Sequence, residues 1–190
     1  GAPPFREASN RDPVDALKVL LQAGANVNAK ATDGSTLLHQ AVTAKQVPII
    51  KTLVAAGLLL AARARGLTAA GIKPLAAGGA REGDEWRNED AALYAKISFP
   101  ARDYTDVNAV TLARAMAPHL AAAEEGVELY AATLTAFVRK ATAKNSDFAV
   151  VEGAGGWIVP LNDRESMADV AAALRLPVIV VVGMRLGCLN

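Results

Sequence analysis

Apolar residues recur at helical spacing through the first third of the chain, and the pattern then changes to short apolar runs alternating with helical ones. In "QVPIIKTLVAAGLLLAARARG", from Gln46 to Gly66, Ile50, Leu53, Val54, Leu58 and Ala61 keep to one stripe. One continuous helix is therefore predicted from Val47 to Arg65, with Gly57 a weak point rather than a cap. Beyond it "LTAAGIKP" reads as a short strand closed by Pro74, and "AALYAKI" and "ELYAATLTAFVRKATAK" read as helices. Next come "DFAVVEGAGG", a buried strand breaking into glycines, "ESMADVAAALRL", a helix, and "PVIVVVG", a second buried strand. Buried strands alternating with helices predict an α/β fold, a parallel sheet covered on both faces, whose ligands bind at the carboxyl ends of the strands. Lys73, Glu152, and Arg185 with Gly187 stand at those ends.

The first part of the chain repeats itself at an offset of 33 residues, which carries Gly1 onto Gly34, Ala8 onto Ala41, Lys18 onto Lys51 and Gly24 onto Gly57. With its Asp-Gly turn ahead of "STLLH", this pattern resembles ankyrin repeats, although Leu37 stands where that family has proline. The resemblance implies about two all-α repeats over residues 1–57 and a surface for a protein partner, with the α/β pattern giving a second domain over 58–190. Roughly three stacked repeats are normally needed to bury such helix pairs, so two are expected to lean on the α/β part or to belong to a longer array. His39 is read as hydrogen-bonding within its repeat, since no second His or Cys stands nearby at ligand spacing.

Composition narrows the classes. Twenty basic and nineteen acidic residues give a formal charge of +1, which offers no electrostatic pull toward nucleic acid or an anionic membrane. The longest apolar run, Leu53 to Ala62, is well short of the roughly 20 residues a bilayer span needs. A single cysteine, Cys188, favours a reduced, cytoplasmic setting.

Five segments, "GIKPLAAGG", "RNED", "NAVTLARAMAPHLAAAEEG", "VVEGAGGWIVPLND" and "PVIVVVGMRLGCLN", together resemble the dethiobiotin synthetases from Lys51 or Leu58 through Asn190. That resemblance implies a P-loop-type parallel sheet and an ATP- and Mg2+-dependent ligase. In that family CO2 forms a carbamate on 7,8-diaminononanoate, the carbamate attacks the γ-phosphate of ATP, and the second amine closes the ring. It implies Lys73 as the catalytic lysine, neutralising the carbamate and the transferring phosphoryl oxygens. Lys51 and Thr52 would be the phosphate lysine and the Mg2+ ligand, with Asp90 and Glu152 completing the metal site. Gly153, Ala154 and Gly155 would let the backbone approach the nucleotide. Substrate contacts would come from Lys73, Ala77, and Gly187, Cys188, Leu189 and Asn190 across a homodimer interface. For Asp90 alone, a helix N-cap is an equally good reading. Glu152, ending an apolar strand, would be awkward to bury without a cation.

Departures from the family are as specific as the matches. Reading back from Lys51, the glycine positions of a phosphate loop hold Lys45 and Ile50, and no glycine occurs between Gly34 and Gly57. Ala77 stands where a hydroxyl residue is usual, and Arg114 and Ala115 replace an acidic residue and a proline. Ankyrin sequence occupies the place of the family's first strand, a central one, so its neighbours are expected to have unpaired edges. The family's later strands and base contacts would lie beyond Asn190. Within the helix Val47–Arg65, Lys51 and Thr52 are expected on a solvated face. The ligase reading thus predicts weak or absent Mg-ATP binding and no turnover. Its alternatives are an ankyrin binding module with a passive α/β part, and a chimera with no evolved function.

Overall fold

A computed structural model of the chain describes residues 25–182 apart from residues 27 and 45. The first repeat unit and Arg185, Gly187, Cys188, Leu189 and Asn190 lie outside the described residues. Helix α1, Leu37–Thr43, opens on Thr36, whose backbone N–H donates to His39 Nδ1 at 3.3 Å while its hydroxyl lies 2.8 Å from the same nitrogen. His39 therefore closes its own repeat, as its position suggests.

Helix α2, Val47–Ala64, runs unbroken through Gly57 and ends where Gly66 takes φ +77°, a left-handed conformation that favours glycine. Its buried face is Ile49, Thr52, Leu53, Ala55, Ala56, Leu59 and Ala62. Against the predicted stripe this face is rotated, since Ile50, Val54 and Leu58 are only half-buried and Ala61 is exposed. Small alanines win the inner positions because α2 packs directly on two strands and on helix α3, Glu89–Ile97.

Strands β1, Ala69–Ile72, and β6, Phe148–Val151, pair in parallel with Ala69 opposite Phe148 and Ile72 opposite Val151. Their register is set where they begin. The Thr68 N–H and hydroxyl donate to Asp147 Oδ2 at 2.9 and 2.7 Å, and the Asp147 and Phe148 N–H groups donate to the Thr68 carbonyl. Those bonds, the Thr68 hydroxyl first, hold the Asp147 carboxyl below its ordinary pKa. After Pro74 the chain continues as β2, Leu75–Ala77, which pairs in parallel with β5, Val110–Leu112. Between them lie the exposed hairpin β3, Ala80–Glu82, and β4, Glu85–Arg87, then α3 and the single turn α4, Tyr104–Val107. Helices α5, Pro118–Glu125, α6, Ala131–Ala143, and α7, Met167–Leu174, complete the described elements.

Alternation along β1 and β6 distributes two cores. Ala69, Phe148 and Val150 pack with α2 and α3, whereas Ala70, Ile72, Ala149 and Val151 pack with Val138 and Ala141 of α6. Parallel strands thus carry helices on both faces, a mixed α/β fold. Strand β6 is half-buried rather than buried, and among the described residues it pairs with β1 alone. The expected strand in "PVIVVVG" is absent over residues 177–182, where Val178, Ile179, Val180 and Val182 are half or more exposed. A buried strand needs hydrogen-bonding neighbours, and no described strand fills the slot beside β6.

Two glycines make opposite predictions. At Gly57 an added Cβ meets nothing within 4 Å, so Gly57→Ala should raise stability by about 0.5–1 kcal/mol through the helix propensity gained. At Gly71 the added carbon would lie 2.8 Å from Tyr94 Cβ and 2.9 Å from Leu59 Cδ1, so Gly71→Ala should cost about 1–3 kcal/mol. Thermal melts of both variants check the pair, and an unchanged melting temperature for Gly71→Ala would contradict the packing described.

Candidate functional site

Because Ile72 faces Val151 across the β1–β6 ladder, the next residue of each strand, Lys73 and Glu152, emerges at the same level and on the face covered by α2 and α3. The Lys73 ammonium lies 3.0 Å from Glu152 Oε1 and 3.1 Å from Asp90 Oδ2. Lys73 is buried, and its backbone is pinned on both sides: its N–H donates to the Val107 carbonyl at 2.9 Å, and Asn108 Nδ2 donates to its carbonyl at 2.7 Å. These bonds fix the backbone from which the side chain projects, and the two carboxylates hold the ammonium itself.

Asn88, not Asp90, caps α3, its Oδ1 accepting from the N–H groups of Asp90 and Ala91. That resolves the alternative open for Asp90, whose carboxylate turns to Lys73 instead. One helical turn on, Tyr94 lies on the same face of α3, fully buried, and its hydroxyl donates to Glu152 Oε2. The cation that Glu152 needs is thus provided within the protein.

Helix α2 brings the remaining pair. Thr52 is buried rather than solvated, and Lys51 is half-buried with Nζ 3.4 Å from the Gly155 carbonyl and 3.6 Å from Glu152 Oε1. The solvated-face expectation fails because the inner face of α2 is rotated to include Thr52, which carries its neighbour Lys51 to the rim. Lys51, Thr52, Lys73, Ala77, Asp90 and Glu152 all line one cavity of about 550 Å³, with Ala154 and Gly155 on its far wall. Gly153 sits behind, beside Met167. Gly155 has φ +67°, and a Cβ there would lie 2.9 Å from Val159 Cγ2, so this turn requires glycine. Sequence reasoning missed Tyr94 and Asn108. The spacing of Asp90 and Tyr94, i and i+4, is a signal that could have found the first.

Electrostatics bind the cluster together. Burial pulls the Lys73 pKa down, but the charges of Glu152 and Asp90 and their hydrogen bonds outweigh it and hold it above the ordinary 10.5. The stabilisation so gained is fully present below that value and is lost as pH rises through the folded-state pKa. Burial first, then the charge and hydrogen bond of Glu152, push the Tyr94 hydroxyl well above 10.0, so it keeps its proton. Two carboxylates and a threonine hydroxyl are hard oxygen donors of the kind Mg2+ takes together with water and phosphate. No group of three or more His, Cys, Asp or Glu able to hold a metal occurs among the described residues. This donor set suits a magnesium ion arriving with a polyphosphate rather than a closed protein cage. No helix among those residues is long and apolar enough to cross a membrane.

Removing the cation should strand two carboxylates, Glu152 at a strand end and Asp90 in the first turn of α3. Lys73→Met is expected to destabilise the fold by about 3–5 kcal/mol, and adding Glu152→Gln to it should recover part of that loss. Chemical denaturation of the two variants measures both, and equal stability for Lys73→Met and the wild type would contradict the ion cluster.

Comparison with known proteins gives the family of each part of the chain. A family model described as an AAA domain matches residues 42–190, and one described as ankyrin repeats (many copies) matches residues 6–54. The two overlap on α1 and α2. The ATP-dependent dethiobiotin synthetase of Cellvibrio japonicus is 54% identical over 141 residues, which is 74% of this chain and 61% of that protein. Those of Pseudomonas aeruginosa strain LESB58 and Xanthomonas campestris pv. campestris strain 8004 are 50% and 44% identical over 149 residues, 78% of this chain and 65% and 66% of their own lengths. The chain therefore spans less than two thirds of the curated relatives it matches. Over residues 42–190 the chain belongs to the AAA domain family, with dethiobiotin synthetases as its similar relatives and ankyrin-repeat sequence ahead of it.

Proposed function

We propose that residues 51–190 carry part of a dethiobiotin synthetase site, for ATP-dependent ring closure of 7,8-diaminononanoate with CO2. One observation carries this reading: Lys73 is held between Asp90 and Glu152 at paired strand ends, with Lys51 and Thr52 at the same cavity. In the reaction a carbamate oxygen attacks the γ-phosphorus and the bond to the β,γ-bridging oxygen breaks, releasing ADP. The second amine then attacks the carbamoyl carbon and phosphate leaves.

Negative charge grows on the carbamate and on the phosphoryl oxygens, and Lys73 is the buried cation positioned to meet it. Lys51, at the rim, would meet the phosphates. Thr52, Asp90 and Glu152 would hold Mg2+, whose chemistry when bound is to neutralise phosphate oxygens. Ala154 and Gly155 form the wall along which the nucleotide would lie, with Gly153 giving the turn room. Ala77 lies beside the substrate position but offers no hydroxyl. Gly187, Cys188, Leu189 and Asn190 are proposed to reach the substrate of a partner in a cytoplasmic homodimer. The ankyrin segment, residues 1–57, is proposed to bind a protein partner, a reading supported by the family match over residues 6–54.

Only part of a phosphate cradle is present, because α2 supplies two side chains and no ring of backbone donors. Mg-ATP should bind in the range of about 1 mM, worth about 4 kcal/mol, and ligase turnover should be absent. Calorimetric titration with Mg-ATP checks this. No binding at several millimolar would sink the nucleotide-site reading, and micromolar affinity that Glu152→Gln destroys would sink the impairment.

A further inference from the structure

We propose that Tyr94 is a positioning residue for Glu152, and through it for the metal-nucleotide. The inference rests on the reading of the site given above. Glu152 has two carboxylate oxygens and the structure divides them: Oε1 faces Lys73 at 3.0 Å, and Oε2 accepts the Tyr94 hydroxyl. A carboxylate at the end of a half-buried strand, next to a loop, has free rotation about its side-chain bonds unless both oxygens are tied. Lys73 ties one; without Tyr94 the other is free to swing toward Lys51, whose Nζ already lies 3.6 Å from Oε1. A phenol is suited to this duty, because its rigid ring carries a hydroxyl donor to a fixed point at the end of a packed body.

The side chain of Tyr94 is seated against one strand glycine, and its backbone is fixed on either side along the helix. Strand β1 makes room for it at Gly71, where any side chain would collide with Tyr94. The Gly71 N–H donates to Ser98 Oγ at 3.0 Å, and the Ser98 hydroxyl donates to the Tyr94 carbonyl at 2.6 Å, so the strand and the helix are bolted together at this residue. Asp90, one turn earlier, is fixed to Lys73. Helix α3 thus grips the site twice on one face, with Asp90 on the cation and Tyr94 on the carboxylate opposite, so one helix face holds both candidate metal-holding carboxylates.

NMR titrations, followed on the backbone amides of Gly153 and Gly155, compare wild type, Tyr94→Phe, Glu152→Gln and the double variant with Mg-ATP and with ATP in EDTA. Tyr94→Phe is expected to weaken Mg-ATP about five- to tenfold and to leave metal-free ATP unchanged. The double variant should bind no more weakly than Glu152→Gln alone, because the phenol acts only through that carboxylate. Ser98→Ala, which loosens the tyrosine but keeps its hydroxyl, should give a smaller loss in the same direction, and it serves if Tyr94→Phe does not fold. Unchanged Mg-ATP affinity in Tyr94→Phe, equal losses with and without metal, or a loss that adds in full to that of Glu152→Gln each overturn the proposal. Absence of Mg-ATP binding by the wild type is a different result, which overturns the site reading and this inference with it.

Discussion

An ammonium carried into a protein interior costs several kcal/mol unless opposite charge and hydrogen bonds meet it there, and Lys73 is only 5% exposed. The surroundings of this one group are dictated by that requirement. Glu152 can reach it only if β1 and β6 stay in their register, which the Thr68–Asp147 clamp sets at the far end of both strands. Asp90 can reach it only if α3 starts where Asn88 caps it. Val107 and Asn108 hold the lysine backbone at the strand end from which the ammonium projects. A site able to handle anions therefore doubles as the keystone that joins a helix to two strands.

Helix α2 is the other junction. It completes a repeat of one kind and covers the sheet of another kind, and the two family models overlap on it. A helix can do this because its two faces are read separately: the inner alanines and Thr52 meet the strands and α3, while α1 packs against it from the repeat side. By the resemblance to dethiobiotin synthetases, the first turns of the same helix stand where the end of a phosphate loop is expected. Thr52 and Lys51 arrive at the cavity by side-chain projection from a helix, without the backbone donors that glycines would provide. Among the described residues the other edge of β6 is unpaired.

Much of this was legible in the residues themselves. Short apolar runs, closed by Pro74 in one case and by glycines in the other, located β1 and β6, and helical spacing located α2, α3, α6 and α7. The residues after the strands, Lys73 and Glu152, were singled out from the rule that ligands meet strand ends. Three things were not legible. Rotation of α2 depends on which small residues approach the strands, a tertiary choice that overrode the apolar stripe and turned Thr52 inward. The exposed "PVIVVV" run has the composition of a buried strand, but composition cannot say whether a neighbour exists to pair with it. Tyr94 was hidden for a related reason, since its role needs both the spacing from Asp90 and the absent side chain at Gly71.

The buried ion cluster is most directly examined through the lysine ammonium itself, by 15N side-chain spectra of lysine-labelled protein at neutral pH with Lys73→Arg as the assignment control. A Lys73 Nζ–H signal that exchanges slowly with water, and that shifts in Glu152→Gln, is the predicted result. Rapid exchange of every lysine ammonium, with no signal lost in Lys73→Arg, would contradict the cluster at the centre of the site.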